Sequence, residues 1–201
     1  MFAIVESGSI TSMPSGNKGI TIGDNQYPAA IFSLSTEAER NAIGVYTVEI
    51  DYTNKKDEEY YVNTKITYAF SGGKVTGSYG TATAKAIADS DAVDEDGNKL
   101  KDENGNQIIN EGLKTIKKRI IDNACAGLLA PSDWMYIKAG EEGTTMDSGW
   151  KTWRASVRTK CNSMQTQIDN AADVDALAAL FTYTTTDGVT SRPLGEFPVK
   201  E

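Results

Sequence analysis

The chain has no histidine among its 201 residues. Imidazole is the one side chain whose ordinary pKa lies near neutrality, so Ser-His and Cys-His nucleophile pairs and imidazole metal ligands are excluded. Cysteine is scarce as well. Cys125 and Cys161 are the only two, each inside a helical pattern. Two thiols cannot close a tetrahedral zinc site without borrowed carboxylates, and they do not make a secreted disulfide framework. They read as small buried hydrophobes of a chain that folds in a reducing cytosol. No apolar run approaches the roughly 20 residues needed to cross a bilayer, and the opening "MFAIVESGSI" lacks the basic stretch of a signal peptide. Neither membrane insertion nor Sec export is expected. Positive charge is also short: 20 Lys and Arg face 28 Asp and Glu, a formal charge of −8. A duplex phosphate backbone would be repelled, so no nucleic acid partner is expected.

The composition that is present suits a folded chain, with 39% hydrophobic and 24% charged residues. Its patterning implies an α+β protein, with a β-rich N-terminal module followed by a C-terminal antiparallel helical hairpin. Residues 1–86 are rich in Thr, Tyr, Val, Ile and Gly, and turn formers such as "PSGNKG", "GDNQ" and "TNKKDE" separate short apolar segments. "GVYTVEIDY" alternates with a period of two. "YYVNTKITYAF" and "GKVTGSYGTAT" read as strands flanking a Ser71-Gly72-Gly73 hairpin turn. "SLSTEAERNAIGV" reads as a short helix capped by Ser35 or Thr36 and ended by Gly44.

Residues 87–112 turn abruptly to Asp, Glu, Asn and Gly, and mark an acidic linker or projecting hairpin. They hold a repeat eight residues apart, "DEDGN" at 94–98 and "DENGN" at 102–106, each copy reading as a tight turn. Residues 113–182 then show a helical period. Leu113, Ile116, Ile120, Ala124 and Leu128 form the expected buried stripe of a first helix that Pro131 stops. Trp150, Trp153, Val157, Cys161, Met164 and Ile168 form that of a second helix over about 148–170, with Asp147 as its N-cap. Packed together they give the hairpin, and a short helix over 174–181, capped by Asp173, covers one end. Residues 183–201 read as an extended C-terminal arm.

Candidate chemistry is sparse. Neither "SGNKGITIG" nor "SGGKVTGS" has the spacing of a phosphate-binding loop. Asp94, Asp96 and Asp102, with Asn98 and Asn104, offer the oxygen ligands that calcium prefers. No bidentate Glu follows at the distance a twelve-residue calcium loop requires, so solvated turns are the preferred reading and no cofactor is expected. No spacing singles out a carboxylate pair for glycoside hydrolysis among the acidic residues, and no catalytic residue is assigned. Trp150 and Trp153 share a face with Val157 and Cys161, which favours core packing over a sugar-binding groove. Arg154 and Arg158, one turn apart, are expected to pair with acids on neighbouring helices.

The stretch "LLAPSDWMYIKAGEEGTTMDSGWKTWRASVRTKCNSMQTQIDNAADVDAL" is similar to a module near the C-termini of tail proteins and tail-fibre-assembly-type proteins of tailed bacteriophages. The pattern is an apolar helix end, a turn to Asp-Trp, a Gly-containing loop, and a helix carrying Trp, an aromatic-Arg pair and a second Arg. Asp133, Trp134, Trp150, Trp153, Arg154 and Arg158 carry it here. "FSLSTEAERNAIGVYTVEIDYTNKKDEEYYVNTKITYAFSGGKVTG" also resembles the N-terminal part of such chains, while the doubled-turn insert has no counterpart. The resemblance implies a non-enzymatic structural protein of a tailed-phage virion, made in the bacterial host cytoplasm and located on the tail or its fibres. It would contact other tail or fibre proteins and further copies of itself. A fibre-assembly chaperone and a carbohydrate-binding module presenting Tyr46, Tyr52, Tyr60, Tyr61 or Trp134 to host glycans are the competing expectations. Trp134 itself is expected to plug the junction where the two long helices reverse direction.

Overall fold

The computed structural model describes residues 1–200. It divides into two compact units, Met1–Thr83 and Ala84–Glu201, so the boundary falls three residues before the composition shift suggested. The protein is α+β, with strands concentrated in the first unit and long helices in the second.

In the first unit, β1 (Phe2–Glu6), β2 (Ser9–Ser12), β5 (Val45–Asp51), β7 (Thr67–Ser71) and β8 (Lys74–Ser78) form a sheet in the order β2-β1-β5-β8-β7. β5 and β8 run parallel, with Val48 opposite Val75, and every other neighbouring pair is antiparallel. The Gly72-Gly73 turn between β7 and β8 is where the sequence places it. The strand read over "YYVNTKITYAF" is broken into β6 (Tyr61–Val62) and β7. Asn63 explains the break: its side chain accepts from the Lys56 amide at 2.9 Å and donates to the Lys56 carbonyl at 2.8 Å. A side chain that takes up backbone groups in this way competes with the ladder.

Period-two alternation puts Ala3, Val48 and Val75 on one face of the sheet and Ile4 and Val45 on the other. Tyr46, Ile50 and Phe70 thicken the first layer. Phe32, together with Ile20 and Ile22 of the small hairpin β3 (Ile20–Ile22) and β4 (Asn25–Tyr27), covers the second. The four-residue helix α1 (Ile31–Leu34) delivers Phe32 to that layer. Helix α2 (Glu37–Ala42) starts at a complete capping box, in which the Thr36 amide donates to Glu39 at 2.7 Å and the Glu39 amide donates back to Thr36 Oγ1 at 3.3 Å. Gly44 then ends it, as read.

The second unit follows β9 (Thr83–Ala84), which straddles the boundary. Short strands β10 (Ser90–Asp91) and β11 (Ile109–Asn110) pair antiparallel and frame the acidic insert as a hydrogen-bonded hairpin. Its eight-residue repeat closes a ring of three hydrogen bonds. Leu100 donates to Ala92 at 2.8 Å, Ala92 to Ile108 at 2.8 Å, and Ile108 to Leu100 at 3.0 Å. The two repeat copies are superimposable in their bonding. Asp94 Oδ1 accepts from the amides of Asp96 and Asn98, and Asp102 Oδ1 accepts from those of Asn104 and Asn106. Gly97 and Gly105 both sit at φ +83, a conformation that makes glycine the natural residue there. Below the hairpin, Asp89 accepts from the Gly112 amide at 2.7 Å and from Thr115 at 2.9 Å, capping the next helix from outside it. The backbone of Ala88 lies so close that a Cβ at Gly112 would stand 2.3 Å from its carbonyl carbon.

Helices α3 (Leu113–Leu129) and α5 (Ser148–Asn170) form the expected hairpin. They run antiparallel, since Lys114 and Lys118 at the start of α3 bond Asp169 near the end of α5, each at 2.8 Å. The buried stripe of α5 is as read from Val157 to Ile168, and Asp147 is its N-cap. The stripe of α3 is corrected. The core takes Leu113, Lys117, Ile121 and Cys125, whereas Ile120 is 47% and Leu128 37% exposed. Pattern alone favours isoleucine over lysine. The alkyl stem of Lys117 nevertheless packs like a hydrophobe, and its amine lies 4.5 Å from the ring centre of Phe181. Phe181 ends α6 (Val174–Phe181), capped by Asp173 as expected.

Residues 183–200 are not the extended arm that their composition suggested. β12 (Thr184–Thr186) and β13 (Val189–Ser191) pair around Asp187-Gly188, and the chain then folds back as a strap. Leu194 is fully buried, its amide bonding the Leu180 carbonyl and its carbonyl accepting from Lys160.

Candidate functional site

The junction between α3 and α5 is built from the "APSDW" run. Pro131 forces a 3-10 turn over Ala130–Ser132, after which α4 (Asp133–Glu141) begins. The side chain that closes this junction is Arg154, 8% exposed. Its guanidinium donates to the Leu129 carbonyl at 2.7 Å, to the Ser132 hydroxyl, and to Asp133 Oδ1 at 2.5 Å. A planar cation with a fork of donors thus satisfies a carbonyl at the C-terminal end of α3, where the helix dipole favours positive charge. The expected pairing of Arg154 with an acid on a neighbouring helix is present.

Trp134 does not plug the junction, and that expectation is corrected: its side chain is 55% exposed. Ser132, buried and bonded to the Leu129 carbonyl at 2.9 Å, fills the space with Arg154. The rotation that aims Asp133 at Arg154 carries the next residue outward, because neighbours on a helix point about 100° apart. Trp150 and Trp153 are partly buried and meet edge to face, ring centres 5.6 Å apart. Trp153 Nε1 donates to the Pro198 carbonyl at 3.0 Å, and the Lys200 amine lies 5.3 Å from the Trp150 ring centre. The two indoles anchor the strap.

The Arg158 side chain has no hydrogen bond or ion pair among the described residues, so the acid partner expected for it is missing. Instead it lines a groove of about 390 Å³ between α4 and α5. Tyr136, Ile137 and Met146 supply its apolar lining, the Asp133–Arg154 pair borders it, and Lys151 and Arg158 add two cations. A second hollow of about 330 Å³ shares Tyr136, Met146 and Lys151 and continues towards Thr144 and Thr145. The Lys151 side chain is likewise without a hydrogen bond or ion pair among the described residues. Trp134 and Trp150 line a third, more open hollow beside α4. Thus Asp133, Arg154 and Arg158 are brought together, and the indoles lie outside that groove. Lys151 was missed by the sequence reading. Its signal was available: 151, 154 and 158 recur at spacings of three and four, which puts three cations on one helical face.

The remaining candidates are used structurally. Hydrogen bonds hold both turn carboxyls below the usual carboxylate range, Asp94 chiefly through the Asn98 backbone amide and then its side chain, Asp102 chiefly through the Asn106 side-chain amide and then its backbone. Among the described residues no group of three potential ligands gathers around a metal site. Burial pushes the Cys161 thiol up to about 12, with Cys125 and Asp122 adding to the shift. A thiol held protonated in this way is a poor nucleophile at neutral pH. Of the tyrosines proposed for a glycan platform, Tyr60 is buried, Tyr46 and Tyr61 are partly buried, and only Tyr52 is well exposed. No helix among the described residues is long and apolar enough to cross a membrane. No protein-family model matches the chain, and no curated protein or solved structure matches it either.

Proposed function

We propose that this chain is a non-enzymatic structural protein of a tailed-bacteriophage virion, carried on the tail or its fibres and working by protein-protein contact. The resemblance of the Asp133 to Arg158 segment to phage tail modules motivates the assignment. The observation that carries the contact role is the surface that this segment builds. A rigid, Arg154-locked junction displays Tyr136 and Ile137, 73% and 61% exposed, along a groove that also carries two unpaired cations. Large apolar side chains beside free charge are what an interface core and rim are made of. Mass spectrometry of purified particles tests the reading. A fixed stoichiometry per virion is expected. A chain required for fibre folding yet missing from finished particles would instead be an assembly chaperone.

A further inference from the structure

Two parts of the second unit carry unsatisfied charge of opposite sign. At the groove, Lys151 and Arg158 join the apolar lining of Tyr136, Ile137 and Met146, and neither meets an acid. In the acidic hairpin, Asp94, Glu95, Asp96, Asp102 and Glu103 outnumber Lys99 and Lys101, a formal charge of −3 over residues 94–106. Lys99 is already paired with Asp91 at 2.5 Å. Asp94 and Asp102 are consumed by their own turns, but the side chains of Glu95, Asp96 and Glu103 have no hydrogen bond or ion pair among the described residues. The same hairpin exposes Val93, Leu100, Ile108 and Ile109, each between 41% and 50%.

We propose that the acidic hairpin of one copy docks into the α4–α5 groove of a second copy, so that the chain assembles head to tail. The pairing matches charge with charge and apolar patch with apolar lining. Both sets of groups belong to one compact unit and do not meet within it, so their contact is between copies. The ring of three hydrogen bonds and the two carboxylate-held turns order the hairpin before it binds, which lowers the entropy lost on docking. A contact between two different patches does not close on itself as a twofold dimer does; it propagates into a ring or a filament. Such propagation deepens the proposed structural role and rests on that reading only for its biological setting.

Sedimentation velocity of the full chain, over a range of concentration and salt, provides the test. Assembly should grow with concentration and weaken about tenfold or more between roughly 50 and 500 mM salt, because exposed charges are screened over a few ångströms at the higher value. The groove variant Lys151→Glu/Arg158→Glu and the hairpin variant Glu95→Gln/Asp96→Asn/Glu103→Gln, neutral so that it does not match the reversed groove, should each be folded by circular dichroism and monomeric alone. Mixed, they should give a one-to-one dimer and nothing larger, since only the intact hairpin of the first can enter the intact groove of the second. The proposal is overturned by a wild-type chain that stays monomeric at every concentration, by assembly that persists in either variant, or by a mixture that stays monomeric. None of these results depends on whether the chain is found in a virion, so the two readings fail separately.

Discussion

The two units bury their apolar residues in different ways. The first spreads small and medium side chains over both faces of one sheet: Ala3, Val48 and Val75 on one side, Ile4, Val45 and Phe32 on the other. Its layers are thin, and backbone pairing sets their register. The second gathers large side chains along one helical seam, with Met164, Ile168, Leu177 and Leu194 each buried to within 2%. It closes that seam with polar groups: Arg154 bonds the end of α3, and the strap carbonyls of Pro198 and Leu194 accept from Trp153 and Lys160. A loss in a thin layer leaves a small hole, whereas a loss in the seam leaves a large one beside polar groups that depend on it.

The sharpest way to break this contrast is Leu194→Ala. Truncating a fully buried leucine costs about 3 kcal/mol, within the usual range for core leucines, and urea unfolding would show it as a lower midpoint. Val75→Ala in the first unit, which removes two methylene equivalents, should cost roughly 1.5 to 2 kcal/mol. Equal losses would mean that the strap is held by its hydrogen bonds and not by Leu194. The second test addresses the polar closure. Arg154→Met comes close in volume but strips the donor to buried Ser132 and one of the two donors to the Leu129 carbonyl, which keeps its bond from Ser132, at about 1 to 2 kcal/mol. Asp133→Asn should cost less than about 1 kcal/mol, because the Asp133 side chain is 57% exposed and its ion pair is partly solvated. If the two substitutions cost the same, the ion pair and not the capped carbonyl holds the junction.

What could be read from sequence divides along the same line. Period-two alternation located β5, and helical periodicity with an N-cap located α5 and α6, because in those segments local pattern and burial agree. The parallel pairing of β5 with β8 was not legible, since it depends on which strands neighbour each other after a long connection. The α3 stripe was misphased because Lys117 fills a core position with its stem, a role that polarity conceals. Leu194 was lost in a segment rich in Thr and Pro, whose fold-back depends on bonds from Lys160 and Trp153, 34 and 45 residues away from their acceptors. At the site, sequence offers Asp133, Arg154 and Arg158 together with the three tryptophans, and only the packing of α4 on α5 shows which of these share a groove and that Arg158 meets no acid there. The spacing that places Lys151 on the same helical face is legible in the sequence.

The smallest expected effect sharpens the comparison most. Trp134→Ala should change stability by less than about 0.5 kcal/mol, as substitutions at exposed positions usually do, although tryptophan is the residue whose loss is ordinarily most costly in a core. The argument rests on direction: Asp133 is turned in to meet Arg154, so the following indole faces solvent and lines only an open hollow with Trp150. Trp153→Ala is the internal reference, because that ring is partly buried, meets Trp150 edge to face and bonds the strap at Pro198, and it should lower the urea midpoint clearly. A Trp134 variant as unstable as the Trp153 variant would return the indole to the junction and displace Arg154 as the group that closes it.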